Sequence, residues 1–178
     1  MFEIFKSMYA YFRIDPTQDW PIGTLNDLLF DLGNQCLNDI HFGDSFESLK
    51  RFGKPDNKKP FYYNVFQYFN KGLIIEIDAL GIDYFGFLFE NGGEPGFHPA
   101  SVNMVFPPSR RLELSDACHI RSITDFLGHP EQIDKDEEEI ILFYELNGMK
   151  IEFEMNLHEM LKRVNVYSTA AVGSRKTC

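Results

Sequence analysis

Apolar residues recur in short blocks along this chain, and their spacing changes from block to block. Phe5, Met8, Tyr9 and Phe12 fall at i, i+3, i+4 and i+7, one face of a helix, though five aromatics in the first 12 residues suit a strand equally well. Thr24 as an N-cap, followed by Leu25, Leu28, Leu29 and Leu32, predicts a helix closed by Gly33-Asn34. Ile40 and Phe42 alternate as a short strand. Phe46, Leu49 and Phe52 mark the buried face of a short helix, capped by Gly43-Asp44-Ser45 with Glu47 and stopped by Gly53. Pro55 turns the chain outward. Residues 62–70 read as extended, Asn70-Lys71-Gly72 as a hairpin turn, Leu73 to Asp78 as its return, and Phe85 to Phe89 as a further strand.

The same order then recurs. Leu112 and Leu114 predict a short strand, Ser115-Asp116 a cap, and Ile120, Ile123, Phe126 and Leu127 a helix face ended by Gly128-His129-Pro130. Ile140 to Leu146 and Met149 to Met155 flank Asn147-Gly148, a pair suited to a two-residue primed turn. Leu161 to Tyr167 reads as a last strand. The recurrence reaches individual residues. Gly53-Lys54-Pro55 precedes Tyr68, Gly72, Ile75-Glu76 and Asp78, while Gly128-His129-Pro130 precedes Tyr144, Gly148, Ile151-Glu152 and Glu154. The Pro-to-Tyr separation is 13 residues in the first copy and 14 in the second. Self-similarity of this kind defines a folding unit. The expected fold class is therefore α+β: an internal duplication of a strand-helix-three-strand unit, with antiparallel sheets and helices packed on one face.

Between the copies, residues 90–111 contain Asn91-Gly92-Gly93-Glu94-Pro95-Gly96 and three further prolines, but also Phe97, Met104 and Phe106, so part of this connector is expected to pack. Each copy has only about 50 residues, marginal for a core of its own. A single domain over 1–167 is expected, with pseudo-repeats at about 38–90 and 111–167, an N-terminal helical segment before them and a flexible tail over 168–178.

The chain has 178 residues, 44% of them apolar and 18 of them Phe, enough for a packed interior. Met1 to Phe12 has neither a basic region before an unbroken apolar run nor a small-residue cleavage site, so no signal peptide is expected. No apolar run is long enough to span a membrane. Cys36, Cys118 and Cys178 are odd in number and widely spaced, which points to free thiols and a cytoplasmic setting. The net charge of −10 is uneven: residues 112–160 carry 13 acids against 3 bases, whereas 161–178 carry 4 bases and no acid. Such a surface disfavours nucleic acid and attracts a basic protein.

Candidate chemistry is sparse. His41, His98, His119, His129 and His158 have no zinc-ligand spacing, and neither a metal nor a cofactor is expected. Ser115, Asp116 and His119 could be drawn as a triad, but Ser115-Asp116 is already accounted for by helix capping. Glu76 and Glu152 occupy equivalent positions and read as the outward face of a sheet. Asp134-Lys135-Asp136-Glu137-Glu138-Glu139 is the densest charged stretch; it reads as a solvated loop or as a docking surface for a basic protein. The expected contact residues are Asp134, Asp136, Glu137, Glu138 and Glu139, together with Glu94, Phe97 and His98 of the connector.

The run Ile40-x-Phe42-Gly43-Asp44-Ser45-x-Glu47 leading to Phe52-Gly53-Lys54-Pro55, Tyr68 and Gly72, preceded by Trp20 to Leu29, resembles bacterial immunity proteins of polymorphic-toxin and contact-dependent growth-inhibition systems. The helix, Gly-x-Pro and meander outline is also similar to small outer-membrane assembly lipoproteins, whose lipobox cysteine this chain lacks. The first resemblance implies a non-enzymatic cytoplasmic inhibitor that binds a cognate, basic toxin domain, such as a nuclease, and occludes its active site. The alternative is a small hydrolase or ligand-binding protein with a cleft between the repeats, using Glu94 or His98 as acid or base.

Overall fold

The computed structural model describes residues 15–21, 23, 27–90, 93, 95–106 and 110–169; the predicted helix at 5–12, the Thr24 cap, Glu94 and the tail beyond 169 lie outside them. In chain order the strands are β1 (Leu28–Asp31), β2 (Cys36–Leu37), β3 (Ile40–His41), β4 (Val65–Tyr68), β5 (Leu73–Asp78) and β6 (Gly81–Leu88). Then come β7 (Val102–Phe106), β8 (Arg110–Leu114), β9 (Gln132–Lys135), β10 (Glu139–Leu146), β11 (Met149–Asn156) and β12 (Leu161–Ser168). The helical segments are short: a 3-10 helix over Phe46–Phe52, α1 (Pro60–Tyr63), one 3-10 turn over Phe69–Lys71, and α2 (Ile120–Leu127). The result is an α+β protein dominated by strands.

The strands form two sheets, one ordered β3-β2-β1-β7-β8 and the other β4-β5-β6-β12-β11-β10-β9. The second is antiparallel throughout, but β1 pairs with β7 in parallel, which departs from the expected all-antiparallel arrangement. A parallel pair requires a long crossover, and here the whole β2–β6 segment supplies it.

The predicted helix around Leu28 is instead β1. Leu28, Phe30 and Leu32 are buried and Leu29 is exposed, a period of two, because β1 lies between β2 and β7 and gains ladder partners on both sides. Tertiary pairing overrides the helical propensity of its leucines. The predicted stop at Gly33-Asn34 is a turn built on Asp31, whose Oδ1 accepts the Gly33 and Asn34 amides at 2.8 and 3.0 Å. The connector likewise contains a strand, β7, which buries Val102 and Met104 in alternation.

The inner faces of the sheets share one core. Phe30 of β1 meets Phe85 and Phe87 of β6 edge-on, with ring centroids 5.8 and 6.0 Å apart. Ile75, Leu142, Ile151, Phe153, Val164 and Val166 line the large sheet, and Leu49 and Phe52 of the 3-10 helix and Ile123 of α2 close the ends. Phe46, Leu49 and Phe52 recur every third residue, which matches a 3-10 repeat.

Both predicted glycine stops are present, with nearly the same backbone: Gly53 at φ 86°, ψ −165° and Gly128 at φ 90°, ψ −165°. That region is essentially reserved for glycine. Their surroundings differ. A Cβ on Gly53 would lie 2.1 Å from the Gly23 nitrogen, whereas one on Gly128 would meet nothing within 4 Å. The Asn147-Gly148 turn has positive φ at both residues (50° and 76°), as a primed hairpin requires. The expected caps are corrected. Ser45 is the N-cap of the first helix but makes no side-chain capping bond, while Asp44 Oδ2 accepts the His41 amide at 2.8 Å. His119, not Ser115 or Asp116, caps α2, its Nδ1 accepting the Arg121 amide at 3.2 Å.

Candidate functional site

The acidic stretch is a strand and a tight turn, not a loop. β9 is exposed at all four positions and forms one edge of the seven-stranded sheet. Asp136 closes the turn into β10: its Oδ1 accepts the amides of Glu138 and Glu139 at 2.7 and 2.9 Å, and these two bonds hold its carboxyl below the ordinary range. Gln132 Nε2 donates to Asp134 Oδ1 at 2.8 Å, fixing that carboxylate beside the strand. Asp134, Asp136, Glu137 and Glu138 are exposed. Glu139 belongs to a different environment. It is partly buried and accepts from Lys162 Nζ at 2.9 Å, a bond that raises the Lys162 pKa.

Phe97 and His98 of the connector are not part of this surface. Phe97 is buried, and His98 is exposed with its amide bonded to the Phe69 carbonyl at 2.8 Å, next to the opposite edge strand β4. Ala100, two residues on, is bonded to Leu88 of β6, and β6 lies four strand spacings, about 19 Å, from β9. The expected contact residues that are described therefore do not form one patch. Four converge at the β9–β10 corner.

A second cluster, unmarked in the sequence, lies on the face of the large sheet turned away from the core. Asn165 of β12 is buried and sits opposite Gly86 of β6. Its Oδ1 accepts from the Tyr84 hydroxyl at 2.7 Å, and its Nδ2 donates to Glu154 Oε1 at 2.6 Å. Arg163 Nη2 donates to the Tyr84 hydroxyl at 2.7 Å, and the Tyr167 hydroxyl lies 3.5 Å from Glu152 Oε2. Gly86 makes room for this: a Cβ there would lie 2.3 Å from the Tyr84 hydroxyl oxygen. Burial pushes the Tyr84 and Tyr167 phenols up. Burial also opposes the Arg163 charge, but Tyr84 and Glu154 more than offset it, so this guanidinium stays protonated. Phenols held neutral and a fixed cation make a network suited to joining strands, not to moving protons near neutral pH. The alternation of β12 could have placed Arg163, Asn165 and Tyr167 on one face, but polar residues at alternate positions also describe an ordinary solvated face.

The remaining candidates are accounted for locally. His119 Nε2 lies 3.3 Å from Glu159 Oε2. Ser115 accepts the Cys118 amide through its carbonyl at 3.0 Å, which makes it part of a turn. Burial raises the Cys118 thiol, the reverse of what a nucleophile needs. Among the described residues no group of three or more His, Cys, Asp or Glu is placed to hold a metal, and no helix is long and apolar enough to cross a membrane.

No protein-family model matches this chain, and no curated protein matches it. Among solved structures, the DUF4309 family protein YjgB from Bacillus subtilis subsp. subtilis strain 168 is similar to it at 14% sequence identity and a TM-score of 0.44, over 74% of this chain and 80% of that one.

Proposed function

We propose that this protein is a cytoplasmic inhibitor of the immunity type, which binds a basic toxin domain, such as a nuclease, and occludes its active site. One observation carries the reading: Asp134, Asp136, Glu137 and Glu138 stand exposed together at the β9–β10 corner, within the segment that carries 13 acids against 3 bases. An exposed corner with one sign of charge in excess is what electrostatic steering of an oppositely charged partner requires.

The reading includes a doubled ancestral unit, which hydrogen bonds at matching places support. The Asp56 amide donates to the Gln67 carbonyl at 2.7 Å, and the Glu131 amide, the residue after the second Gly-x-Pro, donates to Phe143 at 2.9 Å. Leu88 donates to the hairpin glycine Gly72 at 2.7 Å, and Thr169 to Gly148 at 2.9 Å. Ile82 donates to Asp44, and Leu161 to Cys118, both at 2.9 Å and both to the residue before a helix N-cap. The large sheet also runs β4-β5-β6 and then β12-β11-β10, as a two-fold relation between copies would order it. On this reading the copies diverged where the acids lie, since the first has Asp56-Asn57-Lys58-Lys59 in place of the β9 stretch.

The test is to mix the purified protein with the toxin domain encoded beside its gene and to measure complex formation and toxin activity at low salt. A tight complex with loss of toxin activity is expected. A toxin that stays free and active at equimolar inhibitor would sink the proposal.

A further inference from the structure

The two edges of the seven-stranded sheet are finished differently. At β4 the outward backbone groups are taken by the preceding loop. Asn57 Oδ1 accepts the Gln67 amide at 3.0 Å, Asn57 Nδ2 donates to the Val65 carbonyl at 2.8 Å, and the Asp56 amide donates to the Gln67 carbonyl. Asp56 Oδ2 also accepts the Phe69 amide at 2.6 Å. That edge is closed to another strand.

β9 is open. The Asp136 amide donates to Glu139 across the turn at 3.1 Å, and the register pairs Asp134 with Ile141 and Ile133 with Leu142. In an antiparallel ladder bonded and non-bonded pairs alternate, so Asp134 directs its N–H and C=O toward β10 while Ile133 and Lys135 direct theirs away from the sheet. The Ile133 side chain is 56% exposed, an apolar foothold on the same edge. An unpaired edge with an exposed branched residue is a template for strand addition.

Charge decides what can occupy it. Within residues 131–138, Glu131, Asp134, Asp136, Glu137 and Glu138 stand exposed beside a single base, Lys135. A second copy would bring the same acids face to face and be repelled, whereas an extended basic segment would be attracted. We infer that β9 accepts an extended, Lys- or Arg-bearing segment of the partner as an added strand, its backbone pairing with Ile133 and Lys135. This rests on the inhibitor reading and specifies how its surface grips.

The experiment follows backbone amides by hydrogen exchange in the full chain, with a capped peptide of alternating lysine and valine as the probe. The free protein should exchange Ile133 and Lys135 quickly, and the peptide should slow both by about tenfold or more. The same peptide N-methylated at alternate residues should bind at least about threefold more weakly, the loss of one or more hydrogen bonds. Ile133→Pro, which removes an outward N–H on an edge strand and leaves the ladder intact, should weaken the peptide similarly without shifting the urea midpoint. Peptide binding that leaves these two amides at their free rates, indifference to N-methylation, or no binding at all would overturn strand addition. A toxin complex that forms, depends on the acids, and leaves both amides unprotected would overturn it too, while leaving the inhibitor reading standing.

Discussion

The Tyr84 hydroxyl donates to Asn165 Oδ1 at 2.7 Å across the junction of β6 and β12, where the first three strands of the large sheet meet the last four. Tyr84 lies along its own strand over Gly86, so the bond depends on a residue with no side chain at that position. Asn165→Leu leaves the buried Tyr84 hydroxyl without an acceptor for its proton and takes the Nδ2 donor from half-buried Glu154, and is expected to cost about 1–3 kcal/mol. Gly86→Ala should act in the same direction by displacing Tyr84. Urea unfolding of both variants checks this. Wild-type stability in Asn165→Leu would mean that the network does not hold the junction.

The two glycine stops give a graded expectation. Gly128→Ala pays the backbone strain alone, about 1–3 kcal/mol. Gly53→Ala adds a collision with Gly23 and Pro21 backbone atoms, at 2.1 and 2.9 Å from the new Cβ, and should cost distinctly more. Equal unfolding midpoints for the two variants would contradict the close approach of Gly23 to Gly53.

Reversing the corner separates binding from folding. Asp134, Glu137 and Glu138 changed together to Lys should slow association with the basic toxin domain about tenfold at low salt, and less as salt screens the charge. Thermal stability should scarcely change, because these side chains are exposed. Glu139→Lys should instead lower the melting temperature, since it sets a second cation against Lys162. Stopped-flow association and thermal melts distinguish the two effects.

Acid should loosen the first turn. Burial works to raise Asp31, but the Asn34 and Gly33 bonds more than offset it, so its folded pKa is lowered. Its contribution is therefore fully present above the unfolded value, about 3.9, and is lost as pH falls through the folded one. Asp31→Asn should flatten the stability–pH curve below about pH 4 relative to wild type. Parallel curves for the two proteins would remove Asp31 from the acid response.

At the alkaline end the sign reverses for Tyr144. Its hydroxyl donates to the Gly128 carbonyl at 2.9 Å, and burial pushes its pKa up to about 12. Its stabilisation is present below the ordinary phenol value and is lost as pH rises toward about 12. Tyr144→Phe should therefore unfold over a less pH-dependent range above pH 10. Ultraviolet titration alongside circular dichroism would reveal whether ionisation of Tyr144 and unfolding coincide.

Local features were legible in the sequence because local chemistry decides them. Asn147-Gly148 could hardly avoid a primed turn, and Gly53 and Gly128 could take a backbone region that other residues resist. Ile120, Ile123, Phe126 and Leu127 were spaced for one helical face, and Met149, Ile151, Phe153 and Met155 for one sheet face. Whether Leu28 and Leu32 belong to a helix or a strand is not decided locally, since a separation of four puts both on one face in either element. The decision came from β7, more than seventy residues later, which offers Leu28 and Phe30 a ladder partner. Asn165 reads as a solvated position on its own strand and becomes buried only when Tyr84 arrives from β6. The acids at 134–138 were visible as charge, but their place on an open sheet edge depends on where β10 leaves its neighbour unpaired. Turns, stops and amphipathic faces are settled by a residue and its near neighbours. Strand partners, buried polar pairs and free edges are settled by contacts between distant segments, which only the folded chain brings together.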